Sequence, residues 1–444
     1  MKTKIGFISL GCPKNQIDTE VMLAELSAAG YELTADETEA DIIIVNTCAF
    51  IESAKQEAID NILDVAWLKE NRHLRGIIVT GCLAQRYKEE IFAELPEVDA
   101  LVGCGSIHEI VKAVKAVDED KKEKFSSFCD MKLLDLGGER VLTTPEYMSY
   151  LKIAEGCDNY CTYCAIPYIR GGFRSRAMED IVEEALALEK SGSKEIVLVA
   201  QDTSRYGYDL YGSYKLAELI TAVTDATESV KIRLLYCYPD KITDELLDVM
   251  ATNPRVLKYI DLPLQHISPK ILKAMNRHCT REQIYEVLAK LREKVPGIAV
   301  RTTAIVGFPG ESEEDFTELC EFVKKAKFEH FGAFPYSREE GTVAYNLPDQ
   351  IDEQTKQDRY DMIMDLQFDI QSEINAHRIG KTYPVLCEGF DAVSEAYYGR
   401  SEYEAPEIDN RIFFTSDRKI AEGEIVNVKI TETMDYDLIG QIYP

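Results

Sequence analysis

Nowhere in the 444 residues does an apolar run reach the roughly 18 residues that a bilayer-spanning helix needs, and the chain opens on MKTKIGFISLGC rather than on a charged-then-apolar leader. These absences set the expectation of a cytoplasmic protein that does not engage a membrane. Basic charge is also scarce, with 50 Lys and Arg against 78 Asp and Glu and a formal charge of −28. Long-range attraction to a phosphate backbone is thereby disfavoured, while a basic protein partner would be attracted. The sequence has no low-complexity tract, no convincing internal repeat, and no recognisable Ser-His-Asp or paired-carboxylate motif. What it does have is cysteine, twelve in all. In a reducing compartment, clustered cysteines are metal ligands or catalytic groups more often than disulfides. Cys129, Cys237, Cys279, Cys320 and Cys387 stand outside any cluster and read as small buried hydrophobes.

The length suits two or three domains, and the pattern divides into three, all within an α/β chain. From the start, IGFISL (from Ile5), IIIVN (from Ile42), GIIVT (from Gly76) and ALVG (from Ala100) alternate with amphipathic stretches, which predicts an open parallel sheet covered by helices. A charged stretch from Asp118 followed by GGERVLTTPE predicts a linker ending near Pro145 and a first domain over 1–140. Six further strand candidates begin at Tyr150, Glu195, Lys231, Tyr259, Ala299 and His330. Their βα rhythm predicts a partial TIM-type (βα)6 barrel over 141–376, closing on a long helix from about Gln354 to His377. The last segment, 377–444, changes to short alternating runs expected to form a small antiparallel β-barrel of OB-like size.

Just after the first barrel strand the sequence reads EGCDNYCTYC, with Cys157, Cys161 and Cys164 in a CxxxCxxC spacing. Zinc sites and four-cysteine clusters normally take four protein ligands. Three thiolates on a cubane cluster leave one iron open, and the C-terminal strand edge is where such barrels place active sites. Other polar residues fall at strand ends too: Gln201 after the second strand, Gln265 and His266 after the fourth, and Arg301 within the fifth. His266 reads as a proton donor or substrate contact, or equally as a histidine satisfied by hydrogen bonds at the rim. In RGGFRSR, Arg174 and Arg176 read either as carboxylate-holding groups or as a solvated basic loop. This loop at the head of a (βα)6 pattern resembles the radical S-adenosylmethionine (radical SAM) family. The resemblance implies that Cys157, Cys161 and Cys164 hold a [4Fe-4S] cluster whose open iron binds SAM, with Tyr163 at the aromatic position before the last cysteine. AIVGFPGE is similar to the family's adenine-contacting strand and turn, which adds Ile305, Gly307 and Glu311 to the candidate SAM contacts.

Cys12, Cys48 and Cys82 each stand just past the C-terminal end of a predicted strand of the first domain, the edge where open α/β sheets bind ligands. If the Ile5 strand lies between the Ile42 and Gly76 strands, the three tips are adjacent and the thiols can converge. Three core cysteines at strand ends is the plainer alternative. Cys104, at the fourth tip, would then lie one strand further out. GCPKN, NTCAFI and TGCLAQRY, joined to the CxxxCxxC barrel and a C-terminal small β-barrel, resemble the methylthiotransferases over nearly the whole chain. The resemblance implies an auxiliary [4Fe-4S] cluster on Cys12, Cys48 and Cys82, a TRAM-like last domain that recruits substrate, and two SAM molecules per turnover. One SAM would methylate a sulfur on the auxiliary cluster, and the other would yield the radical that activates the substrate carbon.

That family divides between enzymes acting on adenosines near the tRNA anticodon and those acting on an aspartate of small-subunit ribosomal protein S twelve. From Gly380 to Pro444 there are thirteen Asp or Glu and six Lys or Arg, a poor match for tRNA and a better one for a basic ribosomal protein. GCPKN, with Lys14, is also closer to the ribosomal-protein branch. The expectation is therefore a ribosomal-protein methylthiotransferase, with the tRNA enzyme as alternative and a low-potential electron donor such as flavodoxin or ferredoxin as partner.

Overall fold

Three sheets organise the chain in a computed structural model that describes residues 2–119 and 123–443. The first is wholly parallel and contains β1 (Lys4–Ser9), β2 (Glu32–Thr34), β3 (Ile42–Thr47), β4 (Gly76–Gly81), β5 (Ala100–Gly103) and β6 (Phe125–Ser127), in the order β2-β1-β3-β4-β5-β6. The four anticipated strands are present. The edge strands β2 and β6 carry three residues each with little apolar content, which is why no periodicity announced them.

The order differs from the expected one. Ile42 pairs with both Ile5 and Gly76, so β3 rather than β1 occupies the middle of the trio. Burial explains the exchange: every residue of β3 is buried, whereas β1 exposes parts of its surface. A strand apolar on both faces belongs in the interior of a helix-covered sheet. The tips bearing Cys12, Cys48 and Cys82 remain adjacent, with Cys48 central and Cys104 one strand beyond Cys82.

Part of the charged run, residues 120–122, lies outside the described residues. The end of the expected linker is tied down at Arg140 and Thr143. Arg140, largely buried, donates to Glu20 of the helix Pro13–Ala28 and to Glu184 of the helix Met178–Lys190, and Thr143 donates to Glu20 as well.

The central sheet joins β7 (Met148–Lys152), β10 (Glu195–Val199), β11 (Lys231–Leu234), β12 (Val256–Asp261), β13 (Ala299–Val306) and β14 (His330–Pro335) in sequential parallel order. β7 and β14 are its free edges, so the barrel is open, as expected. A short ribbon of β8 (Ala154–Glu155) and β9 (Arg174–Ser175) follows β7 and frames the cysteine loop. The helix Glu353–Ala376 leads to the last domain, a closed barrel of β15 (Thr382–Asp391), β16 (Ala396–Arg400), β17 (Ile412–Thr415), β18 (Ile425–Met434) and β19 (Asp437–Ile442). Its neighbouring strands are antiparallel except β17 and β19, which run parallel.

The interior of the central barrel is filled from its lower end by the loop between β16 and β17. Asp409 pairs with Arg301 at 3.3 Å and accepts from Tyr259 at 2.7 Å, and Glu407 accepts from Tyr150 at 3.0 Å. Arg233 donates to the carbonyls of Ser401 and Glu402. Buried charges at these positions are tolerable because each is paired. Closing the lower end leaves the C-terminal strand edge as the side on which a site can form.

Candidate active site

The first trio rests on backbone close approach. Gly11 adopts φ +94°, and a Cβ there would stand 2.9 Å from Cys48 Cβ; Gly81 adopts φ +89°, and its Cβ would meet the Thr47 carbonyl at 2.5 Å. Only glycine fits at either place. The Asn15 side chain donates to the carbonyls of Leu10 and Thr47, while Asn46 donates to the Asn15 carbonyl and Thr19. These bonds clamp β1 to β3 at their ends and account for the asparagines in GCPKN and NTCAFI. Cys12 caps one helix and Cys82 begins another, placing both sulfurs near positive helix ends. Burial pushes the Cys48 thiol up to about 11. The Cys82 thiol is instead drawn down to about 6, first by a hydrogen bond from Cys104 and then, against the cost of burial, by the Arg170 charge. A lowered pKa marks a sulfur ready to act as a thiolate ligand.

The second trio lies in the loop after β8. Gly156, φ +78°, lets the loop pass close to the Gly172 carbonyl, whose oxygen a Cβ at this position would meet at 2.1 Å. The Cys157 N–H donates to the Gly171 carbonyl at 3.1 Å. Burial raises the Cys157 thiol to about 11 and raises Cys164 further. Around Cys161 the structure supplies residues that spacing alone did not reveal. Arg277, buried, points toward Cys161 Sγ at 3.8 Å and stacks 3.8 Å over the Tyr238 ring, whose hydroxyl is 3.9 Å from the same sulfur. Lys241, Asp202 and Asn159 form a buried network that fixes the loop from the β10 and β11 side.

The first domain lies across the barrel mouth and is tied to both free edges. Beside β14, Arg86 of TGCLAQRY pairs with Glu339 at 3.2 Å. Beside β7, Lys152 pairs with Asp18 at 2.6 Å and Glu155 at 3.1 Å, and Arg170 pairs with the same two carboxylates at 2.6 and 3.2 Å. Burial opposes the Glu155 charge, but Lys152 and Arg170 hold its carboxyl well below the usual range. Between these ties, Lys14 extends to 3.4 Å from the Tyr236 ring centre. The domain that carries the strand-tip thiols is thus tied by buried pairs across the barrel edge that carries the loop thiols.

The other sequence candidates fall in two groups. At the mouth, Gln201 donates to Glu155 at 2.5 Å; Gln265 holds φ +74° and exchanges backbone bonds with Thr303 and Ile305; Ile305 and Tyr163 pack with Phe308 and Tyr336. Glu311 accepts from the Gly307 N–H and from Arg359 and stands 3.3 Å from His266 Nε2, while His266 Nδ1 accepts from the Ser268 N–H. That acceptor role places the proton of a neutral His266 on Nε2. Away from the mouth, Arg176 is buried in a pair with Glu184 at 2.6 Å, and Arg301 is engaged by Asp261 and Asp409. Arg174 lies between, donating to the carbonyls of Lys132 and Leu134.

Each trio suits an iron–sulfur cluster. The donors are all thiols, and within each trio they interact electrostatically. Among the described residues no three His, Cys, Asp or Glu side chains converge tightly enough for a single ion. The mouth also suits a polar cofactor such as SAM, because Arg174 Nη2, Gln201 Oε1 and Tyr336 Oη are buried without a hydrogen-bond partner in the protein.

Three family models match in succession: the uncharacterized protein family UPF0004 over residues 4–103, the radical SAM superfamily over 151–323 and the TRAM domain over 379–442. The ribosomal protein uS12 methylthiotransferase RimO of Acetivibrio thermocellus is 51% identical, covering 100% of this chain and 99% of its own. The chain belongs to the RimO family of methylthiotransferases. The protein of the same name from Pelotomaculum thermopropionicum is 49% identical over 99% of both chains. Like the rest of the RimO family, the chain is a radical SAM transferase, with SAM and [4Fe-4S] clusters as cofactors. Among solved structures, the radical SAM methyltransferase TsrM from Kitasatospora setae superposes with a TM-score of 0.58 at 13% identity, covering 78% of this chain and 77% of that one, a likeness of fold alone. No helix among the described residues is long and apolar enough to cross a membrane.

Proposed function

We propose that this protein transfers a methylthio group to the β-carbon of an aspartate in small-subunit ribosomal protein uS12. In this reading Cys12, Cys48 and Cys82 hold the auxiliary [4Fe-4S] cluster and Cys157, Cys161 and Cys164 the radical SAM cluster. The observation that carries it is that the first domain, with its three strand-tip thiols, is tied by buried ion pairs across the barrel edge on which the loop thiols lie. When bound, the loop cluster supplies the electron that cleaves SAM, and the strand-tip cluster supplies a place for the sulfur to be delivered.

The chain's own residues orient and enclose. Arg277 and Tyr238 hold Cys161, and the Asn159, Asp202 and Lys241 network fixes the loop. Arg174, Gln201 and His266 would offer polar atoms to SAM, and Ile305, Gly307 and Glu311 would line the same mouth. The first domain, tied down at β7 and β14, keeps bulk water away from reactive species. The acidic excess after Gly380 favours a basic protein over tRNA. The reading includes three units, 1–140, 141–376 and 377–444, a cytoplasmic location, and a flavodoxin or ferredoxin as electron donor. A competition experiment tests the substrate: the anaerobic enzyme with SAM and reductant is offered both uS12 and isopentenylated tRNA. A methylthio mass gain on uS12 is expected, and exclusive gain on the tRNA would refute the assignment.

A further inference from the structure

Arg170 stands outside the candidates that the sequence offered, yet its side chain reaches Cys82 from a backbone position beside the cysteine loop. It ends the short helix Ile166–Arg170 that follows Cys164. Its neighbour Gly171 accepts the Cys157 N–H, so the backbone at this point is already part of the loop site. The side chain, 2% exposed, crosses into the other domain. There Nη2 donates to Asn15 Oδ1 at 2.8 Å and to Cys82 Sγ at 3.5 Å, while Nη1 donates to Asp18 and Glu155. A guanidinium suits this task because its fork serves several acceptors from one fixed plane.

We propose that Arg170 is a positioning residue that couples the two sites, fixing the Cys82 sulfur and the local charge of the auxiliary group relative to the cysteine loop of the barrel. The inference rests on the reading of Cys12, Cys48 and Cys82 as the auxiliary ligands. Charge gives it a direction. Arg170 and Lys152 together balance Asp18 and Glu155. Without Arg170 two carboxylates face one ammonium beside a thiolate, and added negative charge makes a cluster harder to reduce.

The test uses the full-length chain with Cys157, Cys161 and Cys164 all replaced by Ala, reconstituted anaerobically with Arg170 intact, as R170Q and as R170K. EPR-monitored redox titration reads the midpoint potential of the remaining cluster. About four iron atoms per chain are expected in all three, with a more negative potential in R170Q and a smaller shift in R170K. An unchanged potential in R170Q overturns the coupling role. No iron in the protein with Arg170 intact overturns the ligand assignment, and the proposal with it, so the two failures are distinct. If R170Q does not fold, R170K in the chain with all six ligands decides. Loss of the fork should raise deoxyadenosine formed per methylthio product by roughly tenfold or more, and an unchanged ratio overturns the proposal.

Discussion

Cys157, Cys161 and Cys164 lie within eight residues of a single loop, whereas Cys12, Cys48 and Cys82 are gathered from three strand tips more than thirty residues apart at each step. The loop site depends on local geometry: a glycine that lets the chain pass close to Gly172, and backbone bonds made within the motif. The strand-tip site depends on the sheet itself, on β3 lying between β1 and β4 and on the Asn15 and Asn46 clamps that hold the tips in register. The loop site is therefore sensitive to its own residues and to the Arg277, Tyr238 and Lys241 side chains that hold it, and the strand-tip site also to the register of the sheet.

The largest effect should come from Cys157→Ala, which is expected to abolish both deoxyadenosine formation and methylthio transfer; persistence of SAM cleavage would detach the loop from the cofactor. Cys48→Ala should separate the sites, removing methylthio transfer while SAM cleavage continues. Normal transfer in that variant would show that the strand tips are not the sulfur-bearing site. The dependence on the sheet can be probed with Ile44→Ala, at a fully buried position of β3 between Phe7 and Ile78. A loss of about 2–5 kcal/mol in stability is expected, measured by denaturant titration. Iron should leave the strand-tip site before the loop site, and equal loss from both would break the contrast. The smallest effect belongs to Cys104→Ser, which should keep the auxiliary cluster loaded because Cys104 lies one tip beyond the trio. Loss of that cluster would promote Cys104 to a ligand.

This contrast also explains what was readable beforehand. The loop trio announced itself by spacing, and the six barrel strands by their regular βα rhythm. The strand-tip thiols required a topology as well as a sequence, and the expected order was wrong in its middle position. Adjacency survived because β1, β3 and β4 are neighbours in either arrangement. Arg277, Tyr238 and the Asp18–Lys152 seam left no signal, and Arg170 was passed over within RGGFRSR, since each acts on a partner distant in sequence and nothing in an Arg or Tyr marks that partner. The plug formed by Ser401 to Asp409 was equally silent, because acidic residues in a loop ordinarily read as solvated. Arg176 and Arg301 illustrate the converse. Both are arginines near the motifs, and both are occupied in ion pairs that hold the barrel together.

The central claim is that the chain holds two clusters, each on three thiols. Iron and sulfide analysis with Mössbauer spectroscopy of the anaerobically reconstituted protein tests it most directly, beside the variant in which Cys157, Cys161 and Cys164 are Ala. The account predicts about eight iron atoms per chain in two [4Fe-4S] clusters, falling to about four in the variant. About four in the unaltered protein, or none in the variant, would contradict it.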